Sequence, residues 1–127
     1  MTLQDTIDKL YALEEPNREL EIEIAQLVGW KRRAETFLDD KGNVRERILY
    51  LVPNEEKEGK VPRYTLYLHD AYALAHMIAP DNIGGASWEK GRGSARVNDG
   101  PYIQASSAAI ALTIAALTLL KQRVVSR

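Results

Sequence analysis

The 127-residue chain has no cysteine, which excludes disulfides, thiolate zinc sites and cysteine nucleophiles. It also lacks an excess of either charge, because 17 basic and 18 acidic residues leave a formal net charge of −1. That balance gives no reason to expect a polyanion or a membrane surface as partner. The first residues are acidic where a secretory signal needs positive charge, so we expect a cytoplasmic protein.

Long apolar runs are also scarce. Residues 105–120 carry no charge, but they fall short of the roughly twenty apolar residues that span a bilayer, and many are Ala, Ser or Thr. We therefore expect no membrane partner. Large residues stand on opposite sides of this predicted helix, which is typical of a buried helix. One side would pack on a sheet, and the other would be covered by another helix or by a second subunit.

The second of these alternatives makes the closing helix a candidate homo-oligomer interface. The residues that would form it are Leu112, Ala115 and Leu119.

Residues 17–30 predict one helix with both ends marked. Asn17 can cap its start, Glu19 and Glu21 lie near the positive end of its dipole, and Gly29 suits the residue after its end. Helical spacing assigns a set of apolar residues to the core. They are Leu20, Ile24, Leu27 and Val28, together with Trp30 just beyond the helix.

The other periodic segments alternate between helix and hairpin. Helices are expected at about 2–14, 68–79 and 105–120, and hairpins at 30–38 with 44–52 and at 86–90 with 94–97. Residues 53–62 predict a polar, mobile loop. Short hairpin links make the sheet antiparallel, so the predicted class is α+β. The expected architecture is a single domain over residues 1–127, a three-layer α/β/α sandwich with about four strands flanked by helices.

The order of these pieces resembles the phage ABA sandwich domain, a family of small phage and prophage proteins. The matching segments are Asn17–Leu20 with Leu27–Trp30, Tyr64–Thr65 with Asp70–Ala71, Trp88 after Pro80, and Ser106–Leu112 with Ala115–Leu117. The chain departs from the family pattern at Ser107–Ala108 and at Pro80–Asn82. The resemblance implies a phage or prophage origin and a bacterial host cell. It implies no activity.

Few residues suggest a catalytic or metal-binding site. His69 and His76 lie seven residues apart, about 10 Å along a helix, which is too far for the pair alone to chelate a metal. With Asp70 and Tyr72 they form either a polar patch capable of acid–base chemistry or an ordinary solvated helix face, and the second interpretation is favoured. Because no catalytic or metal-ligating constellation is evident, we expect no enzyme activity and no cofactor.

Basic residues give one further hypothesis. Lys90, Arg92 and Arg96 surround a Gly-Arg-Gly-Ser segment that could contact an anion or a nucleic acid, although it lacks the ending of a P-loop. Other basic residues lie on or beside the first two predicted strands. They are Lys31, Arg32, Arg33, Arg45 and Arg47.

The sequence therefore predicts a non-enzymatic accessory protein that works through protein contacts. The alternative is a small nucleic-acid-binding protein that uses the arginines on its strands.

Overall fold

A computed structural model describes residues 2–125, which form four α-helices and five β-strands. In chain order they are α1 Leu3–Ala12, α2 Arg18–Leu27, β1 Lys31–Leu38, β2 Val44–Leu51, α3 Leu68–Ile78, β3 Gly84–Glu89, β4 Arg92–Val97, β5 Ile103–Ala105 and α4 Ala108–Val125. The prediction of an α+β chain with antiparallel strands is confirmed. The chain divides into two compact units, one running up to Glu21 and resuming at Arg63, the other Ile22–Pro62.

The strands form two antiparallel sheets rather than one sheet of about four strands. One sheet is β1–β2 and the other has the order β3–β4–β5. The outer edge of β2 is occupied by its own following segment, since Gly59 N–H donates to Tyr50 O (3.0 Å) and Val52 N–H donates to Lys57 O (2.9 Å). These bonds take up the backbone groups of β2 that a third strand would need, and they fold back part of the predicted loop 53–62.

In the first unit, α4 lies between the three-stranded sheet and the helices α1 and α3. Leu112 and Ala115 are each only 6% exposed, and Leu119 is half-buried. Leu112 lies beside Val97, and Ala115 and Leu119 lie beside Val97, Gly100 and Pro101, so residues of this chain cover this side of α4. No second subunit is needed to bury this side of α4.

Two side chains cap the start of α1. Thr2 and Asp5 form a reciprocal capping box, in which the Thr2 side chain accepts from Asp5 N–H and the Asp5 side chain accepts from Thr2 N–H. These hydrogen bonds lower the pKa of the Asp5 carboxyl below its usual value, with the backbone bond as the largest cause. The helix ends at Ala12, earlier than predicted, because Leu13 adopts an extended conformation.

The predicted ends of α2 are confirmed. Asn17 Oδ1 accepts a hydrogen bond from Leu20 N–H at 2.9 Å, and Gly29 has a φ of +111°. Leu20 and Ile24 are buried as expected. Leu27 is 37% exposed, so its assignment to the core is wrong. It lies in the last turn, at the edge of the apolar face.

In the second unit, β1 and β2 form a regular hairpin in which Lys31 lies opposite Leu51 and Leu38 opposite Val44. The Asp39 side chain closes the turn by accepting from the Arg45 guanidinium and from the N–H groups of neighbouring residues. The Arg45 bond is the main reason why the pKa of this carboxyl is lowered.

Helices of membrane-spanning length and apolarity do not occur within residues 2–125.

Candidate functional site

A cleft of about 400 Å³ lies between α3 and the edge strand β3. Leu68, His69 and Tyr72 line it from the helix. The strand side is formed by Gly84, Gly85 and Ala86, and the remaining lining residues are Ala75, Asn82, Val97 and Leu112. Most of these side chains are apolar, and the few polar ones lie on α3 and just before β3, a composition typical of binding clefts.

The outer edge of β3 has no strand partner among residues 2–125. Asn98 N–H donates to Ile83 O at 2.6 Å, so the backbone groups of Ile83 point toward β4. Because backbone groups alternate in direction along an antiparallel strand, Gly84, Ala86 and Trp88 turn their N–H and C=O groups away from β4. No strand of the described chain pairs with these outward groups, and those of Gly84 and Ala86 border the cleft.

Small residues leave the outer edge of β3 accessible. A Cβ atom built on Gly85 would meet no atom within 4 Å. At Gly84 a Cβ would lie 2.5 Å from the Arg96 carbonyl oxygen, so glycine is needed there for β3 to approach β4. Larger side chains at these positions would fill the cleft or displace the strand.

The two histidines of α3 take separate roles. The His69 ring stacks on Tyr67 with centroids 5.4 Å apart, and its Nε2 lies 3.2 Å from Asp70 Oδ1. The His76 ring stacks on Tyr72 with centroids 6.1 Å apart. His69 lines the cleft, whereas His76 is not among the lining residues. The predicted patch is therefore split between two aromatic pairs.

Asp70 is engaged with the backbone. Its Oδ2 accepts a hydrogen bond from Arg63 N–H at 2.8 Å, which ties the segment before α3 to its first turn. Among the described residues, no group of three His, Cys, Asp or Glu side chains is positioned to hold a metal ion.

The predicted anion-binding residues lie on the exposed face of β3–β4. Arg92 and Arg96 point to the same face, four residues apart, with Ser94 between them. Arg92 Nε lies 3.3 Å from Glu89 Oε1, while Arg96 donates to Gly100 O at 2.9 Å and lies 5.0 Å from the centre of the Tyr102 ring. Both guanidinium groups are thus already partnered.

Lys90 lies in the turn between β3 and β4, which is shorter than predicted. Lys90 and Gly91 alone connect the strands, and Gly91 has a φ of +77°, a left-handed conformation that glycine adopts readily in tight turns. Arg92 and Gly93, predicted to be in the turn, belong to β4. The segment therefore connects two strands, unlike a P-loop, which leads from a strand into a helix.

Two arginines of the other hairpin also have partners. Arg45 Nε lies 2.9 Å from Asp39 Oδ2, and an Arg47 guanidinium nitrogen lies 3.1 Å from Glu35 Oε2. Cross-strand pairing, the alternative that the sequence left open, accounts for both arginines.

Two large apolar residues at the ends of β3 are exposed, and no function was predicted for either. Ile83 immediately precedes β3, and Trp88 lies near its end, 71% exposed. Trp88 is exposed because β3 is an edge strand and the residue lies one position before the strand's end. No local pattern distinguishes an edge strand from a central one over six residues.

Comparison with protein-family models, curated proteins and solved structures finds no match to this chain. The resemblance to the phage ABA sandwich domain therefore remains a prediction from the quoted segments.

Proposed function

We propose that this chain is a non-enzymatic accessory protein, encoded by a phage or prophage, that binds an extended segment of another protein in the cleft between α3 and β3. The observation that carries the proposal is the juxtaposition of an unpaired strand edge and an apolar cleft. Extended peptides bind such sites by adding a strand, and the cleft then selects their side chains.

The residues of the cleft indicate the chemistry of the segment. The outward backbone groups of Gly84 and Ala86 would pair with its main chain. Because side chains alternate across a strand, every second side chain would face the cleft beside Leu68 and Tyr72. The preferred segment is therefore extended, with apolar residues at alternating positions and no proline at the pairing positions.

The origin and cellular setting rest on the sequence. The phage assignment, the bacterial cytoplasm as location, the single domain and the three-layer sandwich are all implied by the resemblance and by composition. We propose them together with peptide binding in the cleft.

A displayed library of random peptides, selected against the purified protein, tests the binding function. Selected peptides are expected to carry the alternating apolar pattern, and isothermal titration calorimetry measures their affinity. Tyr72→Ala removes an exposed ring from the cleft wall and is expected to weaken binding by roughly tenfold or more.

Tyr11→Ala is the matched control, because Tyr11 is a similarly exposed tyrosine on α1. It is expected to leave the affinity unchanged. Failure to select any peptide, or equal losses in the two variants, would overturn the proposal.

A nucleic-acid-binding function is the second candidate. It is favoured by Arg92 and Arg96 on one exposed sheet face, with the exposed Tyr102 ring beside Arg96. Electrostatic binding of this kind weakens steeply with salt. Fluorescence anisotropy with single-stranded DNA and RNA at low salt tests it, with Arg92→Ala expected to weaken any binding. If neither nucleic acid binds at low salt, the candidate is excluded.

A further inference from the structure

The β1–β2 hairpin exposes much of its apolar surface. Ala34 lies opposite Ile48, and Leu38 opposite Val44, so these four side chains share one face of the hairpin. Leu38 is 69% exposed and Val44 is 74% exposed. Two-stranded hairpins of this kind are marginally stable in water unless a further strand or layer joins them.

One edge of the hairpin is available for such a strand. No strand within residues 2–125 pairs with the outer edge of β1, whereas the outer edge of β2 is occupied by the segment that follows it. Asp39 N–H donates to Asn43 O at 3.0 Å, so the backbone groups of Asp39 and of every second residue before it point toward β2. It follows that Arg32, Ala34 and Thr36 direct their backbone groups outward, away from β2.

Only some antiparallel pairings of two β1 strands satisfy this alternation. A residue whose backbone groups point outward on one strand must lie opposite a residue whose backbone groups point outward on the other. Two registers meet this condition and overlap nearly the whole strand. In one register Glu35 lies opposite Glu35 of the second copy, which places like charges together. In the other, Ala34 lies opposite Ala34 of the second copy, and each Arg33 lies opposite a Glu35.

The charges select the second register. Arg33 is exposed and forms no ion pair among the described residues. Glu35 is partly exposed, and Arg47 is its only ion-pair partner among the described residues, so its carboxylate can also receive Arg33. The two-fold axis generates this contact twice, as an isologous interface requires.

We propose that β1 pairs with β1 of a second copy of this chain, antiparallel about a two-fold axis at Ala34, with Arg33 of each copy facing Glu35 of the other. The result is a continuous four-stranded sheet. The paired hairpins bring together Ala34 and Ile48 of each copy in a single apolar stripe. This dimer involves a different part of the chain from the peptide-binding cleft and does not depend on the proposed function.

Sedimentation equilibrium of the full chain, over about 1 µM to about 1 mM, tests for the dimer. The expected result is a concentration-dependent shift from the 14.3 kDa monomer to twice that mass. Arg33→Glu places two glutamates opposite each other at both contacts, and Glu35→Arg does the same with arginines. Each variant alone is expected to raise the dissociation constant at least about tenfold.

Mixing the two variants is the decisive measurement. The Arg33→Glu chain carries acidic side chains at both contact positions, and the Glu35→Arg chain carries basic side chains at both. Opposite charges therefore meet at each contact, and a heterodimer is expected. Arg32→Glu, a charge reversal on the same strand that faces Thr36 of the second copy, is expected to leave the dimer intact. A monomer at every concentration, a dimer unaffected by either reversal, or failure of the mixture to associate would overturn the proposal.

Discussion

The buried carboxylate of Glu21 accepts two hydrogen bonds from Thr65 on the same oxygen, one from the backbone N–H at 3.1 Å and one from the hydroxyl at 2.5 Å. Its other oxygen accepts from the Arg18 guanidinium at 3.0 Å. Both Glu21 and Thr65 are 1% exposed. The start of α2 is thereby joined to the segment that leads into α3, across 44 residues of sequence.

Glu21→Gln is expected to destabilise the protein by about 2 kcal/mol. All three bonds are donated to the carboxylate, so an amide group must turn its NH₂ toward either Thr65 or Arg18, and one donor loses its acceptor. Urea denaturation monitored by circular dichroism measures the loss. Glu19→Gln, an exposed change on the same helix, is the control and should alter stability by less than about 0.5 kcal/mol. Equal effects of the two substitutions would show that the buried network adds nothing.

Gly93→Ala is expected to destabilise the fold by about 3 kcal/mol or more, or to prevent folding. A Cβ at Gly93 would lie 2.1 Å from Ala108 N and 2.3 Å from the carbonyl carbon of Ser107, so α4 would have to move away from the sheet. Gly85→Ala is the matched control, since its Cβ would meet nothing within 4 Å. Thermal unfolding of the two variants provides the comparison. Similar melting temperatures would contradict the close approach of α4 to β4.

Asn17→Ala is expected to cost about 1 kcal/mol, because the N-cap acceptor of Leu20 N–H is lost. Asn17→Ser retains a side-chain oxygen at the cap and should keep most of the stability. Chemical denaturation of both variants checks the prediction, which fails if serine is no better than alanine.

The turn of the β1–β2 hairpin should loosen in acid. The pKa of Asp39 is lowered by the Arg45 hydrogen bond and by backbone N–H donors, so its folded value lies below its unfolded value of about 4. The stabilisation is fully present above the unfolded pKa and is lost as the pH falls through the folded pKa. Amide NMR shifts of Lys41 and Asn43 follow this titration.

Asp39→Asn is the companion variant for the acid titration. It keeps an acceptor for the turn but removes the ionisable group, so the low-pH step in the Lys41 and Asn43 shifts should disappear. A titration midpoint at or above the unfolded aspartate value in the original chain would contradict the prediction.

Local signals in the sequence were sufficient to locate most elements of this protein. The Thr2 and Asn17 caps and the turn at Asp39 act within a few residues, so they mark where helices and hairpins begin and end. The buried face of α3, Ala71, Leu74, Ala75 and Ile78, follows directly from helical spacing. Short-range patterning specifies these features because the interactions themselves are short-range.

The candidate cleft could be predicted only in part. The sequence drew attention to His69 and Tyr72 on α3, which line the cleft. It gave no indication of Gly84 and Gly85 opposite them, because whether β3 is an edge strand depends on strand order, which local patterns do not encode. The exposure of Trp88 likewise depends on the position of β3 at the edge of its sheet.

The α+β class, the cap of α2 and most of the apolar faces can be inferred from the amino-acid sequence. The pairing of the strands into two sheets, the contacts of α1 and α3 with α4 and the burial of Glu21 against Thr65 become visible in the folded chain alone. The physical reason is that propensity, capping and periodicity act over a few residues. Strand order and burial depend instead on which distant segments compete for the same backbone edge or apolar face.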